Sequence, residues 1–95
     1  MFDRTFFERQ FLEHVRQFCR DQKISAPVVE LLLDDGTVLR LRAIVQTRES
    51  WLSLSAHGEG SEAQMIFCPY FTIKRIAFSA PSSAKDGVFS LPPAS

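Results

Sequence analysis

Ninety-five residues, 45% of them hydrophobic and nine of them phenylalanine, make one domain with material for a real core. A chain of this size buries a limited fraction of its surface, so association would add stability. Eleven acidic and eleven basic residues cancel, which argues against a strong non-specific polyanion binder and leaves room only for a local patch.

From Thr5 to Lys23 the residues Phe7, Phe11, Leu12, Val15, Phe18 and Cys19 recur at helical spacing. At ~100° per residue they share a stripe about 140° wide, which predicts an amphipathic helix over about residues 5–22. Thr5 and Glu8 fit a capping box, with Asp3 as the competing N-cap. Arg16, Arg20 and Lys23 suit the negative end of the helix dipole. Phe2 and Phe6 fall outside the stripe and together suggest a partner surface. His14, at the stripe edge, is expected to be packed or half-exposed, because nothing supplies a nucleophile for it to serve.

Pro27 disfavours helical geometry in Ala26 and ends the pattern. Five strands follow. The first runs from Val28 to Asp34 with Val29, Leu31 and Leu33 on one face, and Asp35-Gly36 predicts a type I′ hairpin. The second, Thr37 to Gln46, points Leu39, Leu41, Ala43 and Val45 inward and Arg40, Arg42 and Gln46 outward. After a polar turn at residues 47–50, the third runs from Trp51 to Ala56 with Leu52, Leu54 and Ala56 inward. A flexible loop over residues 57–61 leads to the fourth, Glu62 to Cys68. Met65 and Phe67 lie on one of its faces, Ile66 and Cys68 on the other, and Pro69 interrupts it. A fifth run, Ile73 to Ser79, carries Ile76 and Phe78. Residues 80–95 turn to small, polar and proline-rich composition and read as a flexible tail. Val88-Phe89-Ser90-Leu91 is an apolar island in it, either incidental or a segment that adds to a sheet edge.

Candidate chemistry is sparse. Asp34 and Asp35 are adjacent, so strand alternation sends them to opposite faces and makes them poor acid–base partners. Glu59-Gly60-Ser61-Glu62 lacks the lysine of a phosphate loop. His14 and His57 lack zinc-site spacing, and Cys19 and Cys68 form no CxxC pair or Cys/His cluster. The expectation is a non-enzyme with no cofactor and no metal, holding two reduced thiols in a cytoplasmic setting. Met1-Phe2-Asp3-Arg4 lacks the order of a signal peptide, and no apolar run approaches the ~20 residues of a membrane span, so no membrane partner is expected. The best binding feature is the outward face of the second and third strands, where Arg40 and Arg42 are cross-strand candidates for Trp51. Such a surface suits a stacked base and its phosphate, or a protein partner; with Glu30 on a neighbouring strand the arginines are otherwise simply paired.

Val29-Glu30-Leu31-Leu32-Leu33-Asp34-Asp35-Gly36 behind a helix, the long alternating strand and Trp51-Leu52-Ser53-Leu54 resemble the first half of an Sm-like barrel, nearest the bacterial Hfq type. Gln64-Met65-Ile66-Phe67 and Ile73-Lys74-Arg75-Ile76 resemble its short final strands, so the likeness covers about residues 5–79. Where that family has a second glycine at the bend of the second strand, this chain has Leu41. The base-pocket aspartate has no clean match among Arg48, Glu49 and Ser50, and Cys68-Pro69-Tyr70-Phe71-Thr72 replaces the Tyr-Lys-His run. The resemblance implies an N-terminal helix over a five-stranded, bent antiparallel Sm-like (SH3-like) barrel in residues 1–79. The open edges of such a barrel predict self-association through Met65, Ile66, Phe67 and Cys68, apolar on both strand faces, together with Phe2 and Phe6; the resemblance implies a ring as its form, with a dimer as the fallback. It also implies a non-catalytic module that binds single-stranded RNA, with Arg16, Arg20 and Lys23 resembling the arginine-bearing rim of the Hfq type and Arg40, Arg42 and Trp51, read from the strand faces, as the other candidate contacts. The alternative is a protein-interaction or scaffolding module that has lost the nucleotide pockets.

Overall fold

The structure, a computed structural model, describes residues 2–58, 62–83 and 86–92. Its helical arm begins with a π-helical turn, Phe6–Gln10, and continues as α1, Phe11–Gln22. Asp3 provides the cap: its carboxylate accepts the Phe6 amide at 2.8 Å, while Thr5 is already helical and makes no capping bond. The capping box expected from Thr5 and Glu8 is therefore absent, because Glu8 accepts instead from the Thr47 hydroxyl at 2.8 Å and from Arg4 at 3.2 Å. Those two donors hold the Glu8 carboxyl below its ordinary value, the Thr47 bond first. Asp3→Ala is expected to cost about 1 kcal/mol, read as a lower urea midpoint at unchanged m-value.

The π turn also corrects the placement of Phe6. In an i→i+5 turn the Phe11 amide reaches back to the Phe6 carbonyl, adding one residue to the turn and rotating the preceding chain about the axis. Phe6 is half-buried as a result, its ring 5.3 Å from Phe7 and 6.3 Å from Phe11, and Phe2 packs on it at 5.0 Å. Neither is the free aromatic surface expected of them. His14 is exposed and stacks on Phe6. Phe7, Phe11, Val15 and Cys19, four apart, form the buried stripe. Lys23, with φ of 56°, ends the helix in the left-handed region, its amide bonded to Arg20 O while Ile24 N–H reaches Cys19 O.

The five strands are β1 (Val28–Leu33), β2 (Val38–Thr47), β3 (Trp51–His57), β4 (Ala63–Pro69) and β5 (Ile73–Ser79), in the order β4-β3-β2-β1-β5 and antiparallel throughout. β4 and β5 do not pair with each other, so the sheet does not close into a barrel. β2 makes the bend. Its residues 38–40 pair with β1 and residues 41–47 with β3, and Arg42 stands without a partner between Leu41↔Ala56 and Ala43↔Ser55. A bulge thus does at Leu41-Arg42 what a glycine would otherwise do. Between Ile44↔Leu54 and Gln46↔Ser53 the register slips again, which turns Val45 outward, 55% exposed, and leaves Ile44 half-buried. The strict alternation expected for this strand fails there.

The β1–β2 hairpin forms where Asp35-Gly36 predicts it, by a different turn. Gly36, with φ of 89°, takes the left-handed position while Asp35 does not, and Leu33 N–H bonds Thr37 O across a three-residue loop. That is a type I turn closed by a glycine bulge, which the Asp35 carboxylate fixes by accepting the Thr37 amide at 2.9 Å. Val29 and Leu31 of β1, Leu41 of β2, Leu52, Leu54 and Ala56 of β3, Cys68 of β4 and Ile73 of β5 line the inner face. The helix lies on it: Phe11 meets Phe78 at 5.9 Å, Phe18 meets Phe78 at 5.8 Å, and Phe7 stacks on Tyr70. The reading of residues 80–95 as a tail is corrected over residues 86–92. Phe89 enters the core, only 1% exposed, and meets the Phe11 ring at 5.5 Å.

Candidate interaction site on the outer strand

β4 is an outer strand, and its seven residues, Ala63 to Pro69, include no charged side chain. From Met65 to Cys68 it alternates. Cys68 is buried and Ile66 half-buried, while Met65 is 56% and Phe67 66% exposed. The side chains of the expected interface therefore separate: Met65 and Phe67 face outward, and Cys68 belongs to the core. Both thiols are free and buried, and burial pushes that of Cys19 up.

Pro69 does not break the strand but closes it. Its carbonyl accepts the Thr72 hydroxyl at 2.7 Å, and Tyr70–Thr72 form a single 3-10 turn into β5. At three residues per turn, adjacent aromatics part company. Tyr70 goes inward, donates its hydroxyl to Arg48 O at 2.7 Å and has its pKa raised by burial. Phe71 goes outward and is 66% exposed.

On the outer side, Trp51 stands opposite Pro69 in the ladder and meets Phe67 edge to face at 5.5 Å. Ser50, Trp51, Phe67, Pro69 and Phe71 line a shallow groove of 490 Å³ without an ionisable side chain among them. Sequence reasoning found Trp51 and Phe67 but missed Pro69 and Phe71. The signal for them was a proline followed by two adjacent aromatics at a strand end, one of which a tight turn must expel.

The pairing of Trp51 with Arg40 and Arg42 does not form. β2 and β3 are antiparallel, so Trp51 lies at the far end of the hairpin, beside Arg48, whose amide bonds Trp51 O. Arg42 sits level with Ser55, about 13 Å along the strand from Trp51. Arg40 pairs with Glu30 at 3.4 Å, and Arg42 reaches Ser55 Oγ at 3.4 Å. An exposed ion pair such as Arg40–Glu30 contributes ~0–1 kcal/mol. Arg16, Arg20 and Lys23 occupy the end of α1, where Arg20 donates to Gln17 Oε1 at 2.6 Å. The face expected to bring Arg40, Arg42 and Trp51 together is thus divided, and Arg16, Arg20 and Lys23 lie on the helical arm.

Among the described residues no three His, Cys, Asp or Glu side chains gather as metal ligands, and no helix is long and apolar enough to cross a membrane. No protein-family model, no curated protein and no solved structure matches this chain.

Proposed function

We propose that this protein is a non-catalytic protein-interaction module of the Sm-like type that assembles with copies of itself through the edges of its bent sheet. The observation that carries the reading is β4, an outer strand with an unpaired edge, no charge, and Met65 and Phe67 exposed beside the Trp51–Phe71 groove. Unprotected edges of this kind pair with another chain, and monomeric proteins usually blunt them with charge. β5, the other outer strand, carries Lys74 and Arg75, both exposed, which disfavours pairing with a second copy of itself and leaves an uncharged edge as its partner. An edge-to-edge contact between β4 of one copy and β5 of the next satisfies both backbones, and repetition of that contact builds a ring. The helix followed by a bent five-stranded antiparallel sheet supports the Sm-like part of the reading. The separation of Arg40 and Arg42 from Trp51 favours protein over RNA as the partner.

Light scattering at high micromolar concentration tests this. The expected result is a mass that is a multiple of 10.8 kDa, and a monomer at that concentration overturns the proposal. Titration with A-rich and U-rich oligonucleotides at low salt is expected to give no saturation at tens of micromolar protein. Tighter binding that weakens with salt, with a slope reduced by replacing Arg40 and Arg42 with Ala, would transfer the function to RNA through counterion release.

A further inference from the structure

The segment after β5 is seated like a ligand. The Asp86 carboxylate accepts from the Ser82 amide at 2.6 Å, the Ser82 hydroxyl at 3.0 Å and the Ser83 amide at 3.3 Å, which turns the chain back toward the sheet. Gly87 then passes so close that a β-carbon there would meet the His57 ring at 2.7 Å and the Arg40 side chain at 3.1 Å. Val88 O meets His57 Nε2, Phe89 N–H donates to Pro27 O and Ser90 N–H to Arg42 O, each at 2.8 Å. Arg42 is the bulged residue of β2, so its carbonyl has no strand partner opposite and takes the passing amide instead. Between these bonds Phe89 is driven into the core.

An aromatic anchor with main-chain bonds on both sides of it is a feature of peptide recognition. The seat is also incompletely filled. Beside Phe89 and Leu91 an apolar groove of 370 Å³ runs between Phe7 and Leu12 on the helical side and Ala43 and Ile44 on β2.

We propose that this groove is a peptide-recognition site occupied in cis by residues 86–92. Its partner is a segment of another protein with a buried phenylalanine, no charge from that phenylalanine onward and, two residues on, an apolar side chain larger than leucine. The absence of charge in that stretch follows from the walls beside it, Phe7, Leu12, Ala43 and Ile44, none of which is ionisable. The larger side chain follows from competition. A tethered segment acts at an effective concentration on the order of millimolar, and a partner sees only the fraction of molecules whose groove is open. It displaces the tether by filling the space that Leu91 leaves. The site shares no residue with the Trp51–Phe71 groove, so it stands or falls independently of self-assembly.

Fluorescence anisotropy with a labelled peptide copying residues 86–92 tests this on the full chain, wild type and Phe89→Ala, whose tether has lost its anchor. The peptide is expected to bind Phe89→Ala at least tenfold more tightly than wild type. Phenylalanine in place of leucine at the peptide position matching Leu91 should tighten binding about tenfold, the gain from roughly 50 Å² of further apolar burial. Alanine in place of the peptide's phenylalanine should abolish it. Equal binding to both chains, no binding to folded Phe89→Ala, or indifference to the peptide's phenylalanine overturns the site. Where circular dichroism shows Phe89→Ala unfolded, full-length Gly87→Ala takes its place. Its added methyl lifts the tether off His57, and binding no tighter than to wild type then overturns the proposal.

Discussion

Phe11→Ala is expected to cost the domain about 3–5 kcal/mol and to lower its melting temperature by roughly 12–40 °C. Domains of this kind have about 5–15 kcal/mol in total, so the variant stands near unfolding at physiological temperature. The reason is the position of one ring. Phe11 is fully buried and touches Phe6 and Phe7 of its own arm, Phe78 of β5 and Phe89 of the C-terminal segment. Truncation leaves a cavity whose walls belong to three separate stretches of chain, which cannot all collapse into it at once. Phe71→Ala is the control: with two thirds of its surface in water, it should change stability by less than ~1 kcal/mol. A melting-temperature loss below about 5 °C for Phe11→Ala would mean that the arm is not packed on the sheet as described.

Met65→Lys combined with Phe67→Lys is expected to weaken self-association on the order of a hundredfold while leaving the isolated fold intact. Both side chains face outward from β4, so their replacement opens no cavity, and the melting temperature of the dilute protein should stay within ~3 °C. Two lysines on an outer strand install the charge that such edges normally carry. Each lost apolar contact is worth about 1–2 kcal/mol, and the two together give the hundredfold change. Sedimentation velocity across a concentration series reads the shift, with Trp51 emission as a local reporter because Phe67 lies against its ring. Val45→Lys separates edge from mere exposure. Val45 is as exposed as Met65 but lies on an inner strand, and its change should leave assembly untouched. A double variant that assembles like the wild type removes β4 from the interface.

The order of elements was legible because each is written locally. The stripe from Phe7 to Cys19, the hairpin at Asp35-Gly36 and the limits of β5 depend on neighbours in sequence, and all appear in the structure, although Lys23 rather than Pro27 ends the helix and the hairpin turn is of another type. The departures are non-local. The rotation of Phe6 depends on one additional residue in a helical turn, which 3.6-residue periodicity cannot express. Val45 faces out because of a slip against β3, and a single strand does not record its partner's register. Arg40, Arg42 and Trp51 were grouped because the outward faces of two adjacent strands were read without their antiparallel direction, which sends the first half of β2 to the last half of β3. Phe89 was the hardest to see. A single aromatic among Ser, Pro and Ala has no periodicity, and its burial depends on a bulge carbonyl far back in the chain. Gly87 was the available hint, since a glycine two residues before such a ring marks close backbone passage.

The bend of β2 bears on how the molecule breathes. Among the described residues β2 alone belongs to both halves of the sheet, three of its residues pairing with β1 and five with β3. Neither half can therefore open as an independent unit, because parting either ladder frees a stretch of the strand on which the other is built. Opening short of complete unfolding is confined to the periphery, where β4 and β5 have one neighbour each and the C-terminal segment has none in the ladder. Those are the surfaces at which another chain could be admitted. The rigid seam and the yielding margins are two results of a single bulge at Arg42.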